Sequence, residues 1–111
     1  MIKRGEIYWV NLDPTIGAEI RKTRPALVVS NDVNNVNADT VTVLPLSTSV
    51  EKVYPFQVLL PPGSYGNTEP GKVKAEQIRT VDKRRLGRLV GMLKPELMRK
   101  IEQAIRLHLV L

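Results

Sequence analysis

The chain has 111 residues, the size of one domain with one modest core, and 17 Lys and Arg against 11 Asp and Glu leave a formal charge of +6. That balance makes polyanions, either nucleic acid or an acidic protein segment, the first partners to consider. Cysteine is absent, which excludes disulfides, zinc–thiolate sites and a cysteine nucleophile.

No repeat, low-complexity tract or linker divides the chain, so one domain over residues 1–111 is expected. The opening "MIKRGEIYWV" lacks the apolar core of a signal peptide, and no run reaches membrane-spanning length. The expected setting is soluble and cytoplasmic. Residues 6–13, "EIYWVNLD", are rich in β-branched and aromatic types and stop at Pro14, which predicts a strand. Residues 14–25, "PTIGAEIRKTRP", carry proline, glycine and charge and predict a long loop, with "ALVVS" (26–30) as the next strand. The Asn-rich "NDVNNVNAD" that follows suits turns or one short helical turn, and "TVTVLPL" (40–46) is a third strand. "PFQVLL" (55–60) is a fourth, and "PPGSYGNTEPG" behind it is a turn region. "KVKAEQIRTV" (72–81) predicts a fifth strand whose apolar alternation slips near Gln77, where a bend or bulge belongs. "LVGML" (89–93) is a short sixth strand.

The tail from Lys94 predicts a helix, with Pro95 at its first position and Glu96 at the positive end of its dipole. Leu97, Ile101, Ala104, Ile105 and His108 share one stripe, which gives the only histidine a packing role. Leu107, Leu109, Val110 and Leu111 spread apolar surface beyond that stripe, enough for part of it to face a second subunit. Many short strands, long loops and one closing helix predict a mainly β fold with a C-terminal α-helix, an SH3-like small barrel.

With one histidine, no two-imidazole acid–base pair exists, and no carboxylates are spaced to gather a metal locally. Chemistry on phosphodiesters would have to rest on Arg, Ser or Thr and at most one carboxylate. Three stretches supply such groups. Arg24 precedes Pro25, which biases it to extended backbone at a strand entrance, and its guanidinium could bridge two phosphate oxygens; a solvated loop charge is the other reading. "PLSTS" (45–49) ends a strand in three hydroxyls, which could donate to a phosphate or form an ordinary turn. In "KAEQIRT" (74–80), Lys74, Glu76, Gln77 and Arg79 could read a base edge or form a surface ion-pair network. Trp9 could stack a base or pack in the core.

Taken together in order, "RGEIYWVNLDPTIGAE", "TRPALVVSND", "LPLSTS", "YPFQV" and "AEQIRTVDKRRL" resemble the MazF/PemK (Kid-like) toxins of toxin–antitoxin pairs over essentially the whole chain. The resemblance implies an SH3-like barrel, a homodimer, and metal-independent, cofactor-free endoribonuclease activity on single-stranded RNA at short sequences. It also implies neutralisation by a MazE-like antitoxin. Carried over by position, the family's catalytic arginine falls on Arg24 and its catalytic hydroxyl, commonly Thr, on Ser47, with Thr48 one residue later. The loop glutamate falls on Glu19 and the acidic position used by some PemK-like members on Glu76. The implied mechanism is attack of a ribose 2′-hydroxyl on the adjacent phosphate, leaving a 2′,3′-cyclic phosphate and a 5′-hydroxyl. Arginine is a poor base at neutral pH, so either the surroundings of Arg24 are unusual or Glu19, Glu76 or water takes the proton, and the choice stays open. Two copies of Lys72, Lys74, Arg79 and Arg84 would line the phosphate track of a shared groove. CcdB gyrase inhibitors share this fold, but their activity rests on C-terminal residues including a Trp, whereas this chain ends "LHLVL".

Overall fold

The computed structural model describes residues 1–111. Seven strands form one bent sheet: β1 (Glu6–Asn11), β2 (Thr23–Val28), β3 (Thr40–Ser47), β4 (Gln57–Leu60), β5 (Gly71–Lys74), β6 (Arg79–Asp82) and β7 (Leu86–Met92). The hydrogen-bonded path runs β4-β5-β3-β2-β1-β7, all paired antiparallel, with β6 also on β3. It curls in the manner of a small barrel, as expected, while β4 and β7 end the path without pairing to each other.

β3 organises the sheet. One edge holds β2; the other holds β6 against Thr40–Val43 and β5 against Leu46–Ser47. The expected continuous strand at 72–81 is therefore two strands separated by a 3-10 turn, Ala75–Gln77. The register against β3 slips by three residues between β5 and β6, the length of that turn, so the bend expected near Gln77 is a discrete insertion.

Both faces of the central strands are covered. Ala26, Leu27 and Val28 of β2 are all fully buried, which accounts for an unbroken apolar run instead of alternation. Leu27 joins Ile7, Leu44, Leu46, Val58, Val73, Ile101 and Ala104 in the cluster beneath the C-terminal helix. Ala26 and Val28 join Val10, Leu12, Val41, Val43 and Val81 in the second cluster. Each fully buried Leu or Ile in them contributes about 1.5–3 kcal/mol.

The Asn-rich segment forms a short helix, α1 (Asp32–Asn37), because Asn31 caps it: its side chain accepts from the Asn34 amide at 2.8 Å. Asn35 is buried, with its amide donating to the Ser30 carbonyl at 2.9 Å, so this cluster serves the fold. α2 (Pro95–Leu109) begins at the expected proline and packs on β4 and the 3-10 turn. Arg4 pins it to the sheet, with one guanidinium nitrogen on the Val29 carbonyl and another on Glu102 at 2.9 Å.

Four expectations are corrected. Arg24 lies inside β2, which starts at Thr23, and is not in the preceding loop. β4 starts at Gln57, because Tyr54–Gln57 closes a turn (Gln57 N–H to Tyr54 carbonyl, 2.9 Å) with the Tyr54 and Phe56 rings stacked at 5.2 Å. β7 starts at Leu86, since its partner β1 extends the pairing to Val10. His108 leaves the buried stripe: it is exposed and faces the Phe56 ring at 6.3 Å, because the sheet ends before that turn of the helix. Leu107, Leu109, Val110 and Leu111 are 55%, 46%, 89% and 81% exposed, an apolar end that this chain alone does not cover. No helix is long and apolar enough to cross a membrane.

Candidate active site

The expected site residues, Lys74 apart, divide between two cavities. Arg24, Ser47 and Thr48 line one, of about 570 Å³. Glu19, Glu76, Gln77 and Arg79 line the other, of about 510 Å³, together with apolar side chains of the β1–β2 loop. Lys74 borders neither; its ammonium lies 3.9 Å from Glu76.

The first cavity forms where β2 begins and β3 ends. The two strands pair Ala26 with Pro45. Continuing that register two residues outward sets Arg24 opposite Ser47 and Thr23 opposite Thr48. Directly opposed residues share a face of the sheet, so Ser47 shares the face of Arg24, while Thr48 follows the end of β3 and lines the same cavity. Pro25 closes the Trp9 position on β1 and holds the arginine backbone extended. The Arg24 guanidinium engages only Nε within the chain, on the Arg21 carbonyl at 3.3 Å, and its terminal nitrogens stay open. Ser47 Oγ accepts from the Ser49 amide at 3.1 Å, which leaves its own hydrogen available to an acceptor. Trp9 is half-buried in the cavity wall.

The opposite wall is the loop from Tyr65 to Gly71, a stretch that its composition marks only as a turn. Asn67 holds it together: its oxygen accepts from the Tyr65 amide at 3.1 Å, and its nitrogen donates to the Pro61 and Glu69 carbonyls at 3.2 and 2.7 Å. Close approaches at two glycines bring this loop in. A Cβ at Gly71 would stand 3.2 Å from the Ser47 carbonyl oxygen, and one at Gly91 only 2.3 Å from that of Tyr65. Burial pushes the Tyr65 phenol upward from its ordinary pKa. Sequence reasoning missed this wall, and glycine at 71 and 91 was its one available signal.

In the second cavity the side chains mainly fasten the β1–β2 loop. Arg79 donates to the Leu12 carbonyl at 2.8 Å, and Gln77 accepts from the Ile20 amide at 3.3 Å. Glu19 accepts from the Ile16 amide at 2.6 Å, inside the loop. Glu76 Oε2 accepts from Gln57 at 2.7 Å, while its Oε1 is buried without a partner. Two further members of the expected phosphate track are, like Arg79, engaged within the chain. Lys72 is 7% exposed and donates to the Lys52 carbonyl at 2.6 Å, tying down the β3–β4 loop. Arg84 chelates Asp82 with contacts of 3.0 and 3.1 Å.

Residues 3–109 match the model of the PemK-like, MazF-like toxins of type II toxin–antitoxin systems. The chain is 42% identical over 114 residues to the endoribonuclease MazF9 of Mycobacterium tuberculosis, covering 98% of this chain and 97% of that protein. It is 34% identical over 112 residues to the endoribonuclease EndoA of Bacillus subtilis, covering 100% and 97%. Among solved structures, it resembles a mycobacterial endoribonuclease in complex with its cognate antitoxin (TM-score 0.84, 29% identity, 100% and 97% covered). It also resembles MazF from Deinococcus radiodurans (TM-score 0.86, 25% identity, 99% and 97% covered).

Proposed function

Because the chain belongs to the PemK-like, MazF-like toxins of type II toxin–antitoxin systems, and so is an endoribonuclease toxin, we propose that it cuts single-stranded RNA with Arg24 and Ser47 as its catalytic pair. The observation that carries the pairing is their shared cavity at the β2–β3 end, on one face of the sheet.

In this reading the ribose 2′-hydroxyl attacks the adjacent phosphorus, and the open terminal nitrogens of Arg24 meet the charge that builds on the non-bridging oxygens. Preorganised donors of this kind typically supply 10²–10³-fold in rate, about 3–4 kcal/mol. The Ser47 hydroxyl, oriented by the Ser49 amide, donates to a phosphate oxygen. Thr48 lines the same cavity one residue further along the chain. Bond cleavage leaves a 2′,3′-cyclic phosphate and a 5′-hydroxyl. The second cavity, with Glu19, Glu76, Gln77 and Arg79, receives a neighbouring base, and Lys74 adds charge beside it.

Relatives solved with cognate antitoxins and a net charge of +6 support an acidic, MazE-like antitoxin segment that folds on binding. The uncovered apolar end of α2 supports a homodimer. One experiment tests the core of this reading: purified protein with single-stranded RNA in EDTA, followed by end-group analysis. Cyclic-phosphate ends from the wild type and none from Arg24→Ala are expected. Wild-type cleavage by Arg24→Ala overturns the proposed pair.

A further inference from the structure

We infer that Glu69 is the proton acceptor for the attacking 2′-hydroxyl; this rests on the assignment of Arg24 and Ser47 above. A base in this reaction must sit in the cavity that holds the reacting phosphate. Of the residues lining that cavity, Glu69 is the only carboxylate, and there is neither histidine nor lysine among them. A guanidinium is a poor proton acceptor at neutral pH. Burial raises the Tyr65 phenol, so it too keeps its proton. Glu19 and Glu76 border the other cavity, with an oxygen of each engaged on the Ile16 amide and on Gln57.

Glu69 is also held where the reaction needs it. Its carbonyl accepts from Asn67 at 2.7 Å, and the following Pro70 restricts it to extended backbone. Two residues on, Gly71 presses against the Ser47 carbonyl, with 3.2 Å to a Cβ built there. Two residues of extended chain span about 7 Å, so the Glu69 side chain stands within reach of a phosphate bound between Arg24 and Ser47. Its carboxylate is exposed and forms no hydrogen bond or ion pair within the chain, which leaves both oxygens free to accept.

The step balances without a co-reactant. A Glu69 oxygen takes the 2′-hydroxyl proton as O2′ bonds to phosphorus. The bond from phosphorus to O5′ breaks, and O5′ takes a proton from solvent water. The neutral Glu69 then returns its proton to solvent.

The test is the pH dependence of kcat and KM on a single-stranded RNA for the wild type, Glu69→Gln, Glu69→Asp, Glu19→Gln and Arg24→Ala. Glu69→Gln should lower kcat about 100-fold or more, within the range of general-base contributions. KM should stay near wild type, the acid limb of the kcat profile should vanish, and Glu69→Asp should restore part of both. Glu19→Gln should keep the acid limb. An unchanged kcat and acid limb in Glu69→Gln, or loss of that limb in Glu19→Gln instead, overturns the inference. If Arg24→Ala cleaves normally, the catalytic pair itself fails. If Arg24→Ala is dead while Glu69→Gln behaves as wild type, only the role of Glu69 fails.

Discussion

Replacing Gly91 by alanine puts the construction of the cavity wall to a direct test. Gly91 lies in β7 opposite Ile7, and a Cβ there would meet the Tyr65 carbonyl oxygen at 2.3 Å, its carbon at 3.4 Å and its Cβ at 3.5 Å. Because the closest atom belongs to the backbone, no rotamer change relieves the overlap; either β7 or the loop of Tyr65 must move. Overpacking of this kind costs about 1–3 kcal/mol. For a chain of this size about 1 kcal/mol corresponds to roughly 4 °C in melting temperature, so Gly91→Ala should melt about 4–12 °C lower. The same displacement lifts Asn67 and Glu69 away from Arg24, so cleavage should fall even at temperatures where the variant is fully folded. Gly87, on the same strand, provides the control: its added Cβ would lie 3.4 Å from the Trp9 carbonyl oxygen, an ordinary contact. Gly87→Ala should therefore melt within about 0.5 kcal/mol of wild type. Calorimetry paired with an RNA cleavage assay reads both quantities. Equal melting and equal activity for Gly91→Ala and Gly87→Ala would refute the close approach and the wall built on it.

Three further outcomes are expected. Ser47→Ala should reduce the cleavage rate more than Thr48→Ala; the reverse order would show that the β2–β3 register does not continue to the strand ends. Asn35→Ala should lower stability by about 1–3 kcal/mol in denaturant titration, because it strips partners from the half-buried Ser30 hydroxyl and carbonyl, and should leave cleavage by the folded protein unchanged. The Asp32 carboxyl is held below its ordinary pKa, first by the Arg4 amide and then by Asn35. A depressed folded-state pKa contributes stability that is full above the unfolded value of about 3.9 and is lost as pH falls through the folded one. Melting temperatures measured down through pH 4 should therefore decline less steeply for Asp32→Asn than for wild type.

The features legible in the sequence are those set by local patterning. Proline at position 95 followed by Glu96 announced the start of α2, and β-branched and aromatic composition running up to Pro14 announced β1. The slip near Gln77 marked the 3-10 turn, although nothing local says that both flanking strands return to the same edge of β3. Arg24 was legible as a candidate because Pro25 constrains it, and Ser47 because a strand ends there. Their apposition depends on the β2–β3 register, which pairs residues about twenty positions apart. Lys72 reads as a free cation in sequence and is buried in the fold, since the Lys52 carbonyl that receives it lies on a separate loop. His108 falls on the apolar stripe by periodicity, yet the sheet beneath it ends before it is covered. Glu69 carried no signal, because a glutamate between turn residues looks the same whether or not the loop folds onto a strand end.

The wall opposite Arg24 gives the enzyme an order of assembly. Arg24 and Ser47 belong to the first half of the chain, whereas the loop that faces them is clamped by Gly91 and by the Lys94 amide on the Ser64 carbonyl at 3.2 Å. A polypeptide growing from its N-terminus thus contains Arg24 and Ser47 well before the strand that clamps the facing wall.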